Sequence, residues 1–265
     1  MPPHMTANPK TIVSLTSFPE AIPYAVTAIR TIIRGTVLPD RIVLYLDTQK
    51  FPEGRVPDEL KALINECPIF EVRFDPQDIR SYKKLIPALR DFPDDIIVTI
   101  DDDILYTPDL LDALLRVHKR YPHAVIAHRV RKIQPGLPYR KWRKLKWYDF
   151  IFKKYRPSFR YMQTGVGGVL YPPHSLDTDM LDPAIFTKLA PTTDDLWFWA
   201  AAVSAGTYIV PVPDGMRTAK EVGKPGDLSL KSVNLRPGDD RNRMAFDRIL
   251  ESYPIVAQRL KEDCV

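Results

Sequence analysis

Three consecutive carboxylates, Asp101, Asp102 and Asp103, follow directly on the run Ile96–Ile100 (IIVTI), which has the β-branched composition of a short buried strand. Like charges at successive positions repel, so a fold that sets three acids at the end of a core strand has a use for a cation there. A hard divalent ion, taken by carboxylate oxygens together with a phosphate-bearing substrate, suits such a site. The plainer reading is a polar strand end leading into a helix start. A second acidic pair, Asp194–Asp195, opens the stretch Pro191–Gly206 (PTTDDLWFWAAAVSAG). Its hydroxyl-rich start and glycine stop predict a helix, with Asp195 and Trp199 four residues apart on one face. An aromatic at that position could stack on a sugar. Thr192 with Asp195 equally fits a T-x-x-D capping pattern, and acids in a first turn suit the helix dipole.

The elements that must position these acids can be read in order. Thr11–Leu15, Arg41–Leu46, Phe70–Phe74 and Ile96–Ile100 read as strands. Pro23–Ile33, Pro57–Asn65 and Lys83–Arg90 read as helices between them, the last limited to about two turns by Pro87. Strands alternating with helices predict a mostly parallel sheet that binds ligands beyond the strand carboxyl ends. Asp47, Asp75 and the Asp101–Asp103 triplet all fall at such ends, hence on one rim. Thr107 and Pro108 then predict a capped helix start, Ala124–Arg129 a strand, Thr164–Tyr171 (TGVGGVLY) a glycine-rich strand and Thr207–Val212 a last strand. A final amphipathic helix spans about 241–252. Glycines inside a strand pattern, here Gly165, Gly167 and Gly168, mark either a bulge or a close approach of backbone or ligand.

Charge is unevenly spread. The chain of 265 residues carries +5, yet the window 129–161 alone holds twelve Arg or Lys against one acid, Asp149, and nine aromatics. That leaves 26 basic and 32 acidic residues elsewhere, a mildly acidic protein with one intensely basic segment. Trp142, Leu145 and Phe152 in that segment suit a bilayer interface, with Lys and Arg meeting anionic phosphates. Binding of single-stranded nucleic acid has the same composition, but the acidic remainder disfavours it. A solvated loop is the third alternative. No run is apolar enough to span a membrane, no signal-peptide pattern is visible, and Cys67 and Cys264 lie far apart without a CxxC. The expectation is a cytoplasmic protein, at most peripheral on the inner face of the cell membrane. The division expected is a disordered N-terminus (1–10) followed by one catalytic domain (11–265), with 129–161 as its basic insertion and 213–265 as a loop-rich tail with a C-terminal helix.

The stretches S-Y-K-K-L-I-P-A-L, I-D-D-D-I-L-Y, T-G-V-G-G-V-L-Y-P-P and T-D-D-L-W-F-W, in that order over roughly residues 11–212, resemble nucleotide-sugar-dependent glycosyltransferases of the GT-A fold. They look like a bacterial group of these enzymes that builds surface polysaccharides. The resemblance implies an α/β fold with a Rossmann-like, mostly parallel mixed sheet, and a metal-dependent, inverting transfer of a sugar to a glycan or lipid-linked hydroxyl. A UDP-sugar is the favoured donor. By the same resemblance Asp103, with Asp101, holds Mn²⁺ or Mg²⁺ on the donor diphosphate, where the ion stabilises the charge developing on the leaving group. Thr16, Asp47, Asp75, Lys83, Lys84, Asp101, Gly167 and Gly168 line the donor site. Asp195 maps onto the acceptor-side base, with Asp194, Trp199, Trp142 and Arg143 meeting the acceptor. Family members often take a further metal ligand from a late histidine. None follows His174 here, which leaves the third protein ligand open; water or a tail carboxylate such as Asp239 could substitute.

Two other enzyme classes fit less well. A haloacid-dehalogenase-type phosphatase carries its D-x-D on the first strand, with Thr or Val two residues beyond, where this chain has Leu105. A sugar nucleotidyltransferase begins with a glycine-rich basic loop that T-S-F-P-E-A does not provide. The non-enzyme alternative is a membrane- or nucleic-acid-binding module built on the basic segment, whose anion binding would survive chelation.

Overall fold

The computed structural model describes residues 9–51, 54–145, 149–150, 156–213, 219–222 and 240–263. Lys146, Phe152, Asp239, Cys264 and the first eight residues, all of which entered the expectations above, lie outside the described residues. The first half runs β1 (Thr11–Thr16), α1 (Ile22–Ile33), β2 (Arg41–Asp47), α2 (Asp58–Glu66), β3 (Phe70–Asp75), α3 (Ile86–Asp91), β4 (Ile96–Thr99), β5 (Ile104–Tyr106) and α4 (Leu110–Arg120). The second runs β6 (Val125–Ala127), β7 (Val130–Lys132), β8 (Arg143–Lys144), β9 (Tyr161–Gln163), β10 (Val169–Tyr171), α5 (Pro183–Leu189), α6 (Asp194–Ala205), β11 (Ile209–Pro211), β12 (Ala219–Glu221), α7 (Arg241–Ser252) and α8 (Pro254–Glu262).

Among the described residues, seven strands form the main sheet in the order β11-β6-β10-β4-β1-β2-β3. β10 runs antiparallel to β4 and β6, and the other neighbours are parallel. This is the mixed, mostly parallel GT-A-like sheet expected. Successive strand residues point to opposite faces, so β1 sends Ile12 into one apolar cluster and Val13 and Leu15 into the other. The first cluster is closed by α6, α7 and α8, the second by α1, α2 and α4. Burial on both faces is why these strands read as nearly unbroken apolar runs. β12 pairs with β5, and β8-β7-β9 make a small third sheet.

Several elements differ from the sequence reading. The helix expected at Lys83–Arg90 is a 3₁₀ turn, Arg80–Lys84, followed by α3. Restarting at Ile86 puts Pro87 in a first turn, where its missing N–H costs no intrahelical bond. Of the glycine-rich strand expected at Thr164–Tyr171 only β10 forms; its first half is a 3₁₀ turn at Gly165–Gly167, followed by Gly168 at φ +82°, which joins β10 to the preceding β9. Thr107 does not cap α4: its hydroxyl bonds the Asp109 carboxylate, and Asp109 occupies the cap position without a side-chain cap bond. The three-residue strand β5 and helices α5 and α8 were not anticipated. Both helices start with proline in the first turn.

The described part of the basic segment around Trp142 is docked against α7. Trp142 is 1% exposed, its Nε1 donates to the carbonyls of Gln134 (3.0 Å) and Leu137 (3.1 Å), and its ring meets Phe246 of α7 edge-on at 5.0 Å. Leu145 is buried too. This corrects the expectation that Trp142 and Leu145 dip into a bilayer or meet an acceptor: burying an indole with its N–H satisfied suits a core position. Trp142→Ala is expected to cost about 3–5 kcal/mol, read as a lower urea midpoint; a loss under about 1 kcal/mol would contradict this packing. Among the described residues no helix is long and apolar enough to cross a membrane.

Candidate active site

The site is assembled where β1 and β4 end side by side and the β9–β10 turn faces the start of α6. At its centre is an ammonium. Lys84 Nζ lies 2.9 Å from Asp101 Oδ1, 3.0 Å from Asp194 Oδ2 and 3.7 Å from Asp195 Oδ1, with the lysine side chain 8% exposed. The Lys84 carbonyl accepts from the Ser14 hydroxyl at 2.6 Å, which pins the 3₁₀ turn to β1. Neighbouring residues of so tight a turn diverge. Lys83 points the other way and pairs with Asp47 at 3.0 Å, both side chains at most 4% exposed. Lys83 therefore pairs with Asp47, another residue expected at the donor site, rather than joining the cluster around Lys84.

The D-x-D loop is tied down on both sides. Ser17 Oγ donates to Asp102 Oδ2 at 2.6 Å, and the Asp101 N–H donates to the Tyr106 hydroxyl at 2.9 Å. Asp101 and Asp103 both act electrostatically on that phenol, which burial and the two acids hold well above its ordinary pKa. Asp101 and Asp103 both lie near that phenol and offer carboxylate oxygens of the hard kind that Mn²⁺ or Mg²⁺ takes with phosphate oxygens and water. The residues present fit such an ion in that limited sense: no third Asp, Glu, His or Cys converges with them among the described residues.

Asp195 sits at the second residue of α6, its side chain 32% open. Both of its oxygens accept from the Gly165 N–H at 3.0 Å. It therefore serves the facing β9–β10 turn, and the expected capping alternative fails: Thr193 is the cap residue, without a side-chain cap bond. Burial, then the neighbouring Asp194 and Asp101, push the Asp195 pKa up; Lys84 and the Gly165 N–H pull it down, and it stands at about 7. Burial alone would depress the Lys84 pKa, but the three carboxylates outweigh it and hold it well above the ordinary lysine value. The cluster is thus a fixed cation among acids, with one carboxyl poised near neutrality.

The remaining expected residues divide. Asp194 is buried beside Lys84 rather than presented to an acceptor. Trp199 is fully buried, its Nε1 donating to the Phe159 carbonyl at 2.8 Å and its ring packed on Phe246; the acceptor platform expected there is core. Helix α6 is apolar on all sides, so the spacing that linked Trp199 to Asp195 carried no information about which face was open. Gly167 packs against Arg129 and His128, and Gly168 against Leu110, so neither faces the acid cluster as expected of donor-site residues; Gly165 does. A methyl group on Gly165 would stand 2.6 Å from Lys84 Nζ and 3.1 Å from Asp101 and Asp195 oxygens. Gly165→Ala is expected to lower stability by about 1–3 kcal/mol in urea unfolding by forcing the ammonium aside. Gly136→Ala, where nothing lies within 4 Å, is the near-neutral control.

Farther along the same rim Asp47 and Asp75 are register partners in β2 and β3. Asp47 accepts from the Gln49 N–H at 2.8 Å; Asp75 accepts from the Gln77 N–H at 2.9 Å and from Arg90 at 3.1 Å. Burial would raise the Asp47 pKa, but Lys83 and the Gln49 N–H hold it below the usual range. Thr16 Oγ1 donates to the Tyr45 carbonyl at 2.8 Å. Arg143, on β8, pairs with Asp149 and has no contact with the acid cluster among the described residues. Ser14, Ser17 and Tyr106, which hold the cluster in place, gave no sequence signal beyond ordinary strand and turn composition.

Comparison with known proteins agrees with this fold. No curated protein matches the chain. Among solved structures it is similar to the mannosyltransferase PcManGT from Pyrobaculum calidifontis, determined in complex with GDP-Man and Mn²⁺: TM-score 0.53 at 14% identity, covering 97% of this chain and 75% of that one. At that identity the likeness concerns the fold. The model of the family described as "Glycosyl transferase family 2" matches residues 19–171, from just after β1 through β10, which includes the D-x-D loop and Gly165. The chain belongs to glycosyl transferase family 2.

Proposed function

We propose that this glycosyltransferase moves a sugar from a nucleoside-diphosphate sugar to an acceptor hydroxyl with inversion at the anomeric carbon, and that Asp195 is the base. The observation that carries the reading is Asp195 itself. It is a carboxyl near neutrality, opening a helix, held by a backbone N–H of the facing turn and set beside the D-x-D loop. A base with a pKa near the working pH combines a useful unprotonated fraction with enough basicity to accept the proton of an attacking hydroxyl. Direct displacement leaves the donor diphosphate on the face of the sugar opposite the base, and this reading gives that diphosphate to Asp101 and Asp103. A divalent ion bound there would supply charge stabilisation for the departing diphosphate. Lys84 holds Asp101, Asp194 and Asp195 together against their mutual repulsion, so the donor and acceptor sides keep a fixed separation. GDP-Man in PcManGT supports a nucleoside-diphosphate sugar as the donor class.

The test is a thermal-shift screen of nucleoside diphosphates with and without Mn²⁺, followed by nucleotide sugars. At least one diphosphate should raise Tm only with the ion, and Asp103→Ala should remove that rise while leaving the ligand-free Tm near wild type. Turnover at the full rate in excess EDTA would remove the metal from the proposal.

A further inference from the structure

β3 closes one end of the main sheet: β2 lies on one side of it and, among the described residues, no strand lies on the other. The ladder fixes which backbone groups face outward. The Ile42 N–H donates to the Ile69 carbonyl at 2.7 Å, and Ile42 is the register partner of Phe70. Bonds of a parallel pair fall on alternate residues of each strand, so Glu71 and Arg73 turn their N–H and C=O groups to β2. Phe70, Val72 and Phe74 turn theirs away from the sheet. Among the described residues only the Phe70 N–H of this outward set is bonded back into the chain, to the Cys67 carbonyl at 3.0 Å. Side chains alternate as well. Phe70, Val72 and Phe74 reach into the apolar cluster closed by α1, α2 and α4, where Val72 and Phe74 stay half-buried. Glu71 and Arg73 stand on the other face, 32% and 33% exposed and 3.1 Å apart, with Glu71 also paired to Arg41 and Arg73 to Asp91. An open edge of this kind is a template for a further strand.

The strand reads Phe-Glu-Val-Arg-Phe over 70–74, so its charges complement those of its own reverse. Laid antiparallel against a second copy, with a two-fold axis at Val72, it sets Glu71 opposite Arg73, Arg73 opposite Glu71 and each Phe70 opposite a Phe74. Each Val72 N–H then meets the other Val72 carbonyl, and each Phe74 N–H the other chain's Phe70 carbonyl. A slip of two residues either way keeps the bonding phase but opposes Glu71 to Glu71 or Arg73 to Arg73, which is destabilising. A slip of one residue sets outward groups against inward ones and apolar side chains against charged ones.

We propose that β3 is a self-association edge, through which two copies of this chain join their main sheets about a two-fold axis. The partner is a second copy because the strand complements itself in this register. Strand directions oppose across the axis, so the two rims that carry the acid clusters open toward opposite sides. Pairing at this edge uses none of the residues around Lys84.

Sedimentation velocity over a range of protein concentrations is expected to show exchange between the 30.4 kDa chain and a species of twice that mass. Amide-resolved hydrogen exchange should find Val72 and Phe74 exchanging fast in dilute protein and gaining protection as the dimer fills. The Glu71 and Arg73 amides, bonded to β2, should be protected throughout. Glu71→Arg sets cation against cation across the axis and Arg73→Glu acid against acid, so each should weaken self-association roughly tenfold or more. Mixed together, the two variants complement each other at both positions and should form a heterodimer about as tight as the wild-type pair. Should Arg73→Glu fail to fold beside Asp91, the exchange pattern of the wild type decides alone. A wild-type chain that stays monomeric at the highest concentration reached, a dimer in which Val72 and Phe74 gain no protection, or two folded variants that do not associate on mixing would overturn the edge.

Discussion

Asp195→Asn is expected to lower sugar transfer by roughly 10²–10⁴-fold while leaving nucleoside-diphosphate binding intact. The amide oxygen can still accept from the Gly165 N–H, so the β9–β10 turn keeps its contact and the loss isolates proton removal from structure. In the wild type, kcat/KM should rise with slope one through about pH 7, where the Asp195 carboxyl loses its proton, and level off above. The residual rate of the variant should lack that limb. Stability has its own sign. A carboxyl raised in the folded protein favours folding where it is protonated, and that advantage is lost as pH rises from the ordinary carboxylate range through about 7. The Asn variant escapes this loss, so its stability relative to wild type should improve between pH 5 and pH 8. A transfer rate within a few-fold of wild type, with the pH limb retained, would eliminate Asp195 as the base.

Lys84→Met is expected to be the most damaging change to the fold at the site, costing on the order of 3–5 kcal/mol at neutral pH. Methionine fills similar volume, so the loss measures charge: Asp101, Asp194 and Asp195 would face one another without their shared cation. The variant's acids can escape repulsion by taking up protons. Their folded-state pKa values then rise above the unfolded ones, and the deficit should be largest near pH 8 and shrink toward pH 5. Urea unfolding at both pH values tests this; an equal deficit at both would mean that lost packing, not unbalanced charge, explains it. Lys83→Met removes the partner of Asp47 on the other side of the turn. It should destabilise without this link to Asp195, which separates the two neighbouring lysines.

How much was legible in the sequence depended on the distance over which each feature is decided. The alternating strands and helices from β1 to β4 are set by local periodicity and by burial on both sheet faces, so apolar runs ending in Asp47, Asp75 and Asp101 placed that rim correctly. Gly165 and Lys84 are different. Both lay in stretches singled out for their composition, but which glycine and which lysine face the acids follows from 3₁₀ turns that only the assembled sheet reveals. The tryptophans misled for a related reason. Trp142 and Trp199 are surrounded by charge or by acids in sequence, yet Phe246, about 50 to 100 residues further on, covers both.

That shared cover bears on the order in which the chain is made. Emerging from the ribosome, the segment through β10 contains the D-x-D loop and Lys84 but neither Asp194 nor Asp195. The ammonium has one of its three acids until α6 is synthesised. The wall carrying Trp142 then waits for α7, because Phe246 and Asp240, which accepts the Tyr139 N–H at 3.1 Å, are made well after it. That wall is thus completed only once α7 has been made, and a product truncated before residue 240 should hold the sheet but leave Trp142 uncovered, a ready target for chaperones or proteases.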